Sequence, residues 1–201
     1  FESLYGVGLT FLLENQPSSA SNEFNKALKL NPRDPALLTS LLQAQLELKQ
    51  EAQAAATLTL LDGQLEKKDP RRMELAAMLV GEGAYKLAIQ QFERLRETQP
   101  ESYELNYNLA LAYHRAGEED QAAALLASML GRIEIAELEN LLGDVEEARG
   151  DKSRSLEAFR RAAELESQNE EYRYDYAQAL VHWAALNQAL EVFTAAARDF
   201  P

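Results

Sequence analysis

The chain has 201 residues and a net charge of −13, with 20 basic and 33 acidic residues. This acidic balance argues against nucleic-acid binding, which needs a basic surface, and the lack of cysteine excludes disulfides and cysteine-ligated metals. The 34 Leu and 32 Ala, against 5 Val, 3 Ile and 6 Thr, predict an all-α protein, because β-branched residues favour strands.

The first residues show no targeting or membrane segment. The uncharged stretch 3–13 is much shorter than the ~20 apolar residues of a membrane span, and it lacks the preceding basic segment of a signal peptide. Because the chain begins at Phe1 rather than Met, we expect a fragment of a longer protein. We expect a soluble fragment; a chain without cysteine suits the cytosol and the periplasm equally, so the compartment stays open.

A short pattern recurs along the chain with a period of about 34 residues. A small residue is followed four positions later by a larger apolar residue, at steps of 34, 34, 34, 33 and 34 residues. The six pairs are Ala20/Phe24, Ala54/Leu58, Ala88/Phe92, Ala122/Leu126, Ser155/Phe159 and Ala189/Phe193. A fixed period of this length predicts a solenoid of stacked units.

Each unit divides into two helices. Gly83, Gly117 and Gly150 recur in the same register and are typical of helix ends, where glycine adopts the left-handed conformation. Apolar residues at helical spacing precede and follow each glycine. Because neither helix alone buries its apolar face, the sequence predicts helix pairs that stack on their neighbours.

These repeats resemble the tetratricopeptide repeat family across essentially the whole chain. The family pattern places a large residue, Leu-Gly and Tyr in the first helix, and Ala, Phe, Ala and Pro in or after the second. The first unit matches it at Leu4, Val7-Gly8, Phe11, Ala20, Phe24, Ala27 and Pro32, and the sixth ends on Phe193, Ala196 and Pro201. The resemblance implies a right-handed α-solenoid of antiparallel helix pairs. We expect one array over 1–201, with units at 1–34, 35–68, 69–102, 103–135, 136–169 and 170–201.

The second unit departs most from the family pattern. Leu42 replaces the small residue at which the two helices approach closely, and Glu66 replaces the proline. We therefore expect the second helix of this unit, through Leu58, Leu61 and Leu65, to run long or to shift.

No pattern indicates catalysis, a cofactor or a metal site. The chain lacks a His-Glu-x-x-His zinc motif, a glycine-rich phosphate loop and a nucleophile elbow. His114 and His182 lie two units apart, too far to share a metal when helices pack ~10 Å apart. The acidic runs 118–120 and 146–147 are interpreted as solvent-exposed faces beside turns, not as acid–base pairs.

The resemblance implies a protein-interaction scaffold that holds a peptide or partner helix in a groove lined by the first helices. Helical spacing places several polar and aromatic residues off the packing face, where they can contact a peptide. The candidate peptide-binding residues are Tyr107, Asn108, Leu111, Arg115, Asn140, Asp144, Glu147, Tyr174, Asp175, Gln178 and His182. For each of them, the alternative is an ordinary solvent-exposed side chain.

The groove positions that the resemblance implies are strongly acidic, and the one base among them is Arg115. The acids at these positions are Glu2, Glu47, Glu74, Glu104, Glu137, Asp144, Glu147, Glu171 and Asp175. Four of them, at 2, 104, 137 and 171, also suit a helix N-terminus, where an acid is favoured by the helix dipole. We predict a groove that selects basic or amphipathic cationic segments, anchored by Tyr107 and Tyr174. An acidic surface that only keeps the chain soluble is the alternative.

Two further interpretations stay open, a structural or self-assembling solenoid segment of a larger protein and a regulatory domain of an enzyme. The positions that capture a C-terminal carboxylate in chaperone-binding family members hold Tyr5, Leu9, Ser40, Pro70 and Glu74 here, so that clamp is absent.

The apolar residues of the last helix are predicted to form an exposed edge for self-association. They are Val192, Phe193, Ala196 and Phe200.

Overall fold

The computed structural model describes residues 1–200, and Pro201 of the predicted repeat pattern lies outside them. This part of the chain holds twelve α-helices and no strand, so the all-α prediction is confirmed. The helices are α1 (Glu2–Leu13), α2 (Pro17–Leu28), α3 (Pro35–Glu47), α4 (Glu51–Asp62), α5 (Arg71–Gly81), α6 (Tyr85–Arg96), α7 (Tyr103–Arg115), α8 (Glu119–Leu130), α9 (Ala136–Ala148), α10 (Lys152–Leu165), α11 (Glu170–His182) and α12 (Leu186–Asp199). Each odd-numbered helix packs on the helix that follows it.

The helices form two compact units, Phe1–Pro100 with α1–α6 and Glu101–Pro201 with α7–α12, described up to residue 200. In the first unit, α2 packs on α3; in the second, α8 packs on α9 and α10 on α11. The first helices of the second unit also touch, α7 against α9 and α9 against α11. These three helices therefore lie side by side and present one surface. The single array over the whole chain stays a prediction.

The two helices of several pairs approach each other where a small residue faces a large one. A β-carbon added at Gly143 would lie 2.7 Å from three ring atoms of Phe159, and Gly8 is in similarly close contact with Phe24. Both phenylalanines are buried. The expectation that small residues allow close helix packing is therefore met at Gly8 and Gly143.

The turn inside each helix pair has the same backbone conformation in all six pairs. The three predicted glycines, Gly83, Gly117 and Gly150, have φ of 72°, 77° and 77°. The equivalent positions in the other pairs hold Asn15, Lys49 and Ala184, and these also have positive φ, between 56° and 58°. In each turn, the next residue donates its N–H to a carbonyl five positions earlier, as in the helix-ending Schellman motif. The sequence therefore identified three of the six left-handed turns.

Ala184→Gly is expected to raise the free energy of unfolding by about 1 kcal/mol, because the left-handed conformation penalises a β-carbon. Gly117→Ala is the matched reverse change, since a β-carbon at Gly117 would meet no atom within 4 Å and only the backbone term remains. We expect it to lower stability by a similar amount. Urea unfolding of both variants measures this, and shifts of the same sign in both would contradict it.

The second helix of the second pair does not run long, so that prediction is wrong. Helix α4 ends at Asp62 and has 12 residues, as α2, α6 and α8 do. Gly63 follows as its C-terminal cap. The irregularity lies instead in the connection to α5, residues 63–70, where Leu65 turns inward and is buried.

Arg72 in the first turn of α5 fills the space beside this connection, and its side chain is buried. Its Nη1 donates to Asp62 Oδ1 at 2.7 Å and to Gln91 Oε1 at 2.9 Å. Its Nη2 donates to the Leu65 carbonyl at 2.7 Å, and its Nε to the Glu66 carbonyl at 2.9 Å. Helices α4 and α5 are not closely packed, unlike α2 and α3. A buried ion pair thus ties the third helix pair to the second.

Glu146 is only 2% exposed, so the interpretation of 146–147 as a solvent-exposed face is wrong for this residue. It lies on a part of α9 buried against α10, and it accepts two hydrogen bonds from Arg149 Nη1, at 2.8 and 2.9 Å. In the run 118–120, Asp120 is exposed, whereas Glu119 pairs with Nδ1 of His114 at 2.8 Å. The packing of α9 on α10, which the linear spacing does not reveal, accounts for the burial of Glu146.

The apolar residues predicted as an exposed edge of the last helix are half-buried. These are Val192, Phe193, Ala196 and Phe200. Tyr174 of α11 packs edge-on against Phe193 with ring centroids 5.8 Å apart, and the Arg173 guanidinium lies 5.5 Å from the Phe200 ring centre. The most exposed apolar side chains of α12 are instead Leu186 and Leu190, at 63% and 68%.

Candidate protein-interaction surface

All eleven candidate binding residues lie on the three adjoining first helices of the second unit. Helix α7 carries Tyr107, Asn108, Leu111 and Arg115, α9 carries Asn140, Asp144 and Glu147, and α11 carries Tyr174, Asp175, Gln178 and His182. Because these helices touch in the order α7, α9, α11, side chains one repeat apart in sequence become lateral neighbours.

Two lateral contacts join candidate residues of α9 to candidate residues of α11. Asn140 Nδ2 donates to Asp175 Oδ2 at 2.9 Å, across 35 residues of sequence. Nδ1 of His182 lies 3.8 Å from Oε1 of Glu147. The Oδ1 atom of Asn140 is buried and has no hydrogen-bond partner within residues 1–200. An unmet buried acceptor costs free energy, so the Asn140–Asp175 hydrogen bond is formed at the expense of this oxygen.

A tyrosine pair and a glutamate join α7 to α9. Tyr103 donates its hydroxyl to Oε2 of Glu137 at 2.7 Å, and its ring stacks on Tyr107 with centroids 6.1 Å apart and planes 16° apart. Burial, followed by the charge of Glu137, raises the pKa of Tyr107 to about 12. Burial and the hydrogen bond from its hydroxyl to Glu137 also raise the pKa of Tyr103.

Sequence reasoning missed Tyr103, and it discounted Glu137 as a residue suited to a helix N-terminus. A usable signal was present, because the two residues are 34 positions apart, one full repeat. Equivalent positions of adjacent repeats are the ones that meet across α7 and α9.

Asp144 lies near the middle of α9. Its side chain reaches the surface, but neighbouring side chains keep part of the carboxylate away from water. This partial burial raises the pKa of Asp144 to about 6. The nearby carboxylates of Asp175 and Glu147 raise it further, while His114 and Arg115 act in the opposite direction. The candidates on three helices are therefore electrostatically coupled.

Asp144→Asn is expected to stabilise the protein at pH 7.5 and to leave its stability unchanged at pH 4. The folded-state pKa of about 6 lies above the unfolded value of about 3.9, so the folded protein binds this proton more tightly. The stabilising contribution of the protonated form is lost as the pH rises through 6. Melting temperatures from pH 4 to 8 measure the difference. Glu191→Gln, which removes an exposed carboxylate from α12, is the control; a pH-independent effect of Asp144→Asn would contradict the prediction.

The structure joins seven of the eleven candidates into one patch and leaves four outside it. We define the first-helix surface as Tyr103, Tyr107, Arg115, Glu137, Asn140, Asp144, Glu147, Asp175 and His182. Gln178 donates to the Tyr174 hydroxyl at 2.6 Å, and Tyr174 packs towards α12. Asn108 and Leu111 are half-buried on α7. The binding roles of all these residues stay predictions.

Neither a metal cluster nor a membrane span is found in the part of the chain that the structure describes. Within residues 1–200, no three His, Asp or Glu side chains are grouped so that they could hold a metal ion. None of the helices there has the length and apolar character needed to cross a bilayer.

Comparison with known proteins finds both a sequence match and several similar folds. Residues 79–133 match the sequence model of the family described as tetratricopeptide repeat. No curated protein matches the chain. A tetratricopeptide repeat protein from Parabacteroides merdae superposes with a TM-score of 0.62 at 18% identity, covering 98% of this chain and 79% of that one.

Two further solved structures are similar over most of their lengths. A thermophilic tetratricopeptide repeat protein from Thermus thermophilus has a TM-score of 0.52 and 24% identity, covering 90% of this chain and 98% of its own. MamA from Desulfovibrio magneticus has a TM-score of 0.57 and 15% identity, covering 98% and 93%. At these identities the likeness concerns the fold.

Proposed function

We propose that this chain, a tetratricopeptide repeat protein of six helix pairs, is an interaction scaffold whose first-helix surface binds basic protein segments. The tetratricopeptide repeat fold generally supports protein–protein interaction and is generally non-enzymatic. The finer part of the proposal, a preference for basic segments, rests on how the charges are distributed within the second unit.

The observation that carries the proposal is that acids of the first-helix surface lack basic partners. Glu137, Asp144 and Asp175 form no salt bridge to any residue up to 200. Acids elsewhere in the second unit do: Arg160 pairs with both Glu157 and Glu164 on α10. The acids of α10 are thus neutralised, whereas these three acids of the first-helix surface have no basic partner within 4 Å up to residue 200.

Acids are also paired with bases where α9 packs on α10. Arg161 of α10 pairs with Glu134 and with the buried Glu139. Arg160 and Arg161 of α10 therefore form salt bridges with acids outside the first-helix surface. Arg115 is the one Lys or Arg within that surface, and an uncompensated negative field attracts cationic segments and speeds their encounter.

Peptide titration at two salt concentrations tests the proposal. Basic, neutral and acidic peptides of equal length are titrated by calorimetry, and we expect the basic peptide to bind best. Its affinity should fall as salt rises, because exposed charges are screened beyond a Debye length of ~10 Å at 0.1 M. Tightest binding by the neutral or acidic peptide would overturn the proposal.

A charge-reversal pair tests whether the peptide binds at the first-helix surface. Asp144→Lys/Glu147→Lys is expected to reduce the affinity for the basic peptide by at least about tenfold, as the loss of close charge pairs across an interface does. The matched control is Glu164→Lys/Glu191→Lys, which changes the net charge equally on the second helices α10 and α12. Equal losses in both double variants would show only a general charge effect and would contradict the assignment.

We propose self-association through α12 as a second function, supported by the exposure of Leu186 and Leu190. Sedimentation of the chain over a wide concentration range tests it. Concentration-dependent dimers that Leu186→Glu/Leu190→Glu abolishes would support this function, and a monomer at every concentration would contradict it.

A further inference from the structure

The cluster of Tyr103, Tyr107 and Glu137 has the components of a site for a planar cation. The stacked tyrosine rings lie on α7, and the carboxylate reaches them from the first turn of α9. Tyr172, on α11, lies close enough to interact electrostatically with both tyrosines. Two stacked rings on α7 and one carboxylate on α9 therefore lie together.

The glutamate in this cluster retains unused capacity to accept hydrogen bonds. An ionised carboxylate has about four lone-pair sites; the Tyr103 hydroxyl occupies one of them on Oε2, and the Tyr107 hydroxyl also hydrogen-bonds this carboxylate. No Lys, Arg or His among the described residues pairs with Glu137. Its charge is held in place by two tyrosine donors, which leave about two lone-pair sites free, and it is not neutralised.

The aromatic face beside this charge is also open. The Tyr103 side chain is 37% exposed, although its ring stacks on Tyr107. If the Tyr103–Glu137 hydrogen bond only joined α7 to α9, it would not require an exposed aromatic ring beside a carboxylate without a basic partner. A cation that lies flat on the ring would bury that surface and meet the carboxylate at its edge.

We propose that Tyr103, Tyr107 and Glu137 form a binding site for the guanidinium group of an arginine side chain in the bound segment. This inference rests on the proposed function, which it refines from basic segments in general to arginine-containing ones. Arginine fits better than lysine, because its planar group stacks on an aromatic ring and donates two parallel hydrogen bonds to a carboxylate. A lysine ammonium offers only a compact charge.

Three matched peptides test the inference on the full chain. They are 12-residue peptides with four arginines, four lysines or four citrullines at the same positions. We expect the arginine peptide to bind about 5- to 10-fold tighter than the lysine peptide, in line with one cation–π contact plus a bidentate pair. Citrulline, which keeps the planar shape without the charge, is expected to bind weakest.

Variants of the cluster locate the effect. Glu137→Gln keeps an acceptor for the Tyr103 hydroxyl but removes the charge, and it is expected to reduce the arginine-to-lysine affinity ratio to about one. Tyr103→Leu, which removes the ring, is expected to reduce the same ratio. Glu191→Gln on α12 is the charge-matched control and should leave the ratio unchanged. Because the readout is a ratio of two affinities, a general loss of stability or net charge does not imitate it.

The outcomes separate this inference from the proposed function. If no basic peptide binds, the proposed function fails and the arginine site fails with it. If basic peptides bind but arginine and lysine are equal, or Glu137→Gln leaves their ratio unchanged, the arginine site alone is overturned. A ratio that falls in Glu137→Gln and Tyr103→Leu but not in Glu191→Gln establishes it.

Discussion

Arg72→Met is expected to lower the free energy of unfolding of the first unit by about 3 kcal/mol, the low end of the cost of breaking a buried ion pair, because Arg94 still lies 3.3 Å from the Asp62 carboxylate. Methionine keeps much of the volume of the arginine stem but none of its donors. The carboxylate of Asp62 and the carbonyls of Leu65 and Glu66 would then lose donors at 2.7–2.9 Å. Urea unfolding of the full chain, followed by circular dichroism, measures the change.

The neighbouring residue provides the matched control. Arg71 also forms an ion pair, with Asp69 at 2.6 Å, but its side chain is exposed. Exposed pairs contribute little because solvent screens them and side-chain entropy opposes them. Arg71→Met is therefore expected to leave stability nearly unchanged. Similar losses in the two variants would show that Arg72 is not the residue that secures α5.

Gly143→Ala is expected to lower the free energy of unfolding by about 1–3 kcal/mol, the usual cost of overpacking a filled core. The new methyl group would lie 2.7 Å from the ring of Phe159, which is 3% exposed and would have to move within the core. The sign is informative, because alanine is otherwise favoured over glycine in a helix by up to ~1 kcal/mol. Thermal and urea unfolding both report it.

Two further variants separate steric conflict from helix propensity. Gly143→Ala/Phe159→Leu recreates the combination of Ala110 and Leu126 at the equivalent positions of the preceding helix pair and is expected to recover most of the loss. Gly6→Ala places a methyl group in α1 where it would meet no atom within 4 Å, so it should stabilise. A loss in Gly6→Ala, or no recovery in the double variant, would contradict the steric explanation.

Regular features of the fold were predictable from the sequence because they are local and repeat. The 34-residue period, the paired helices and the left-handed turns at Gly83, Gly117 and Gly150 follow from apolar spacing and from the conformational freedom of glycine. The family resemblance drawn from that period is confirmed by the family match at 79–133, and the similarity to solved structures concerns the fold. Lys49 and Ala184 take the same turn without a glycine, because the five-residue hydrogen bond imposes it.

The candidate surface was only partly predictable. Helical spacing correctly placed Asn140, Asp144 and Glu147 on α9 and Asp175 and His182 on α11. It did not reveal which of these side chains meet, because lateral contacts depend on how one repeat stacks on the next. Tyr103 and Glu137 belong to this class: each looks ordinary in its own helix, and their hydrogen bond exists only across α7 and α9.

The sequence by itself determined the helix pairs, their period and the excess of acid, since all three depend on residue type and spacing along the chain. Tertiary structure alone decided which charges are neutralised. Arg72 and Glu146 look like surface residues in the sequence, yet both are buried. Arg72 pairs with Asp62 of α4, and Glu146 pairs with Arg149 three residues on and with Arg154 of α10. Asp144 keeps no such partner. A charge can be buried only where a donor or an opposite charge reaches it in space, and that is fixed by the stacking of helices rather than by the order of residues.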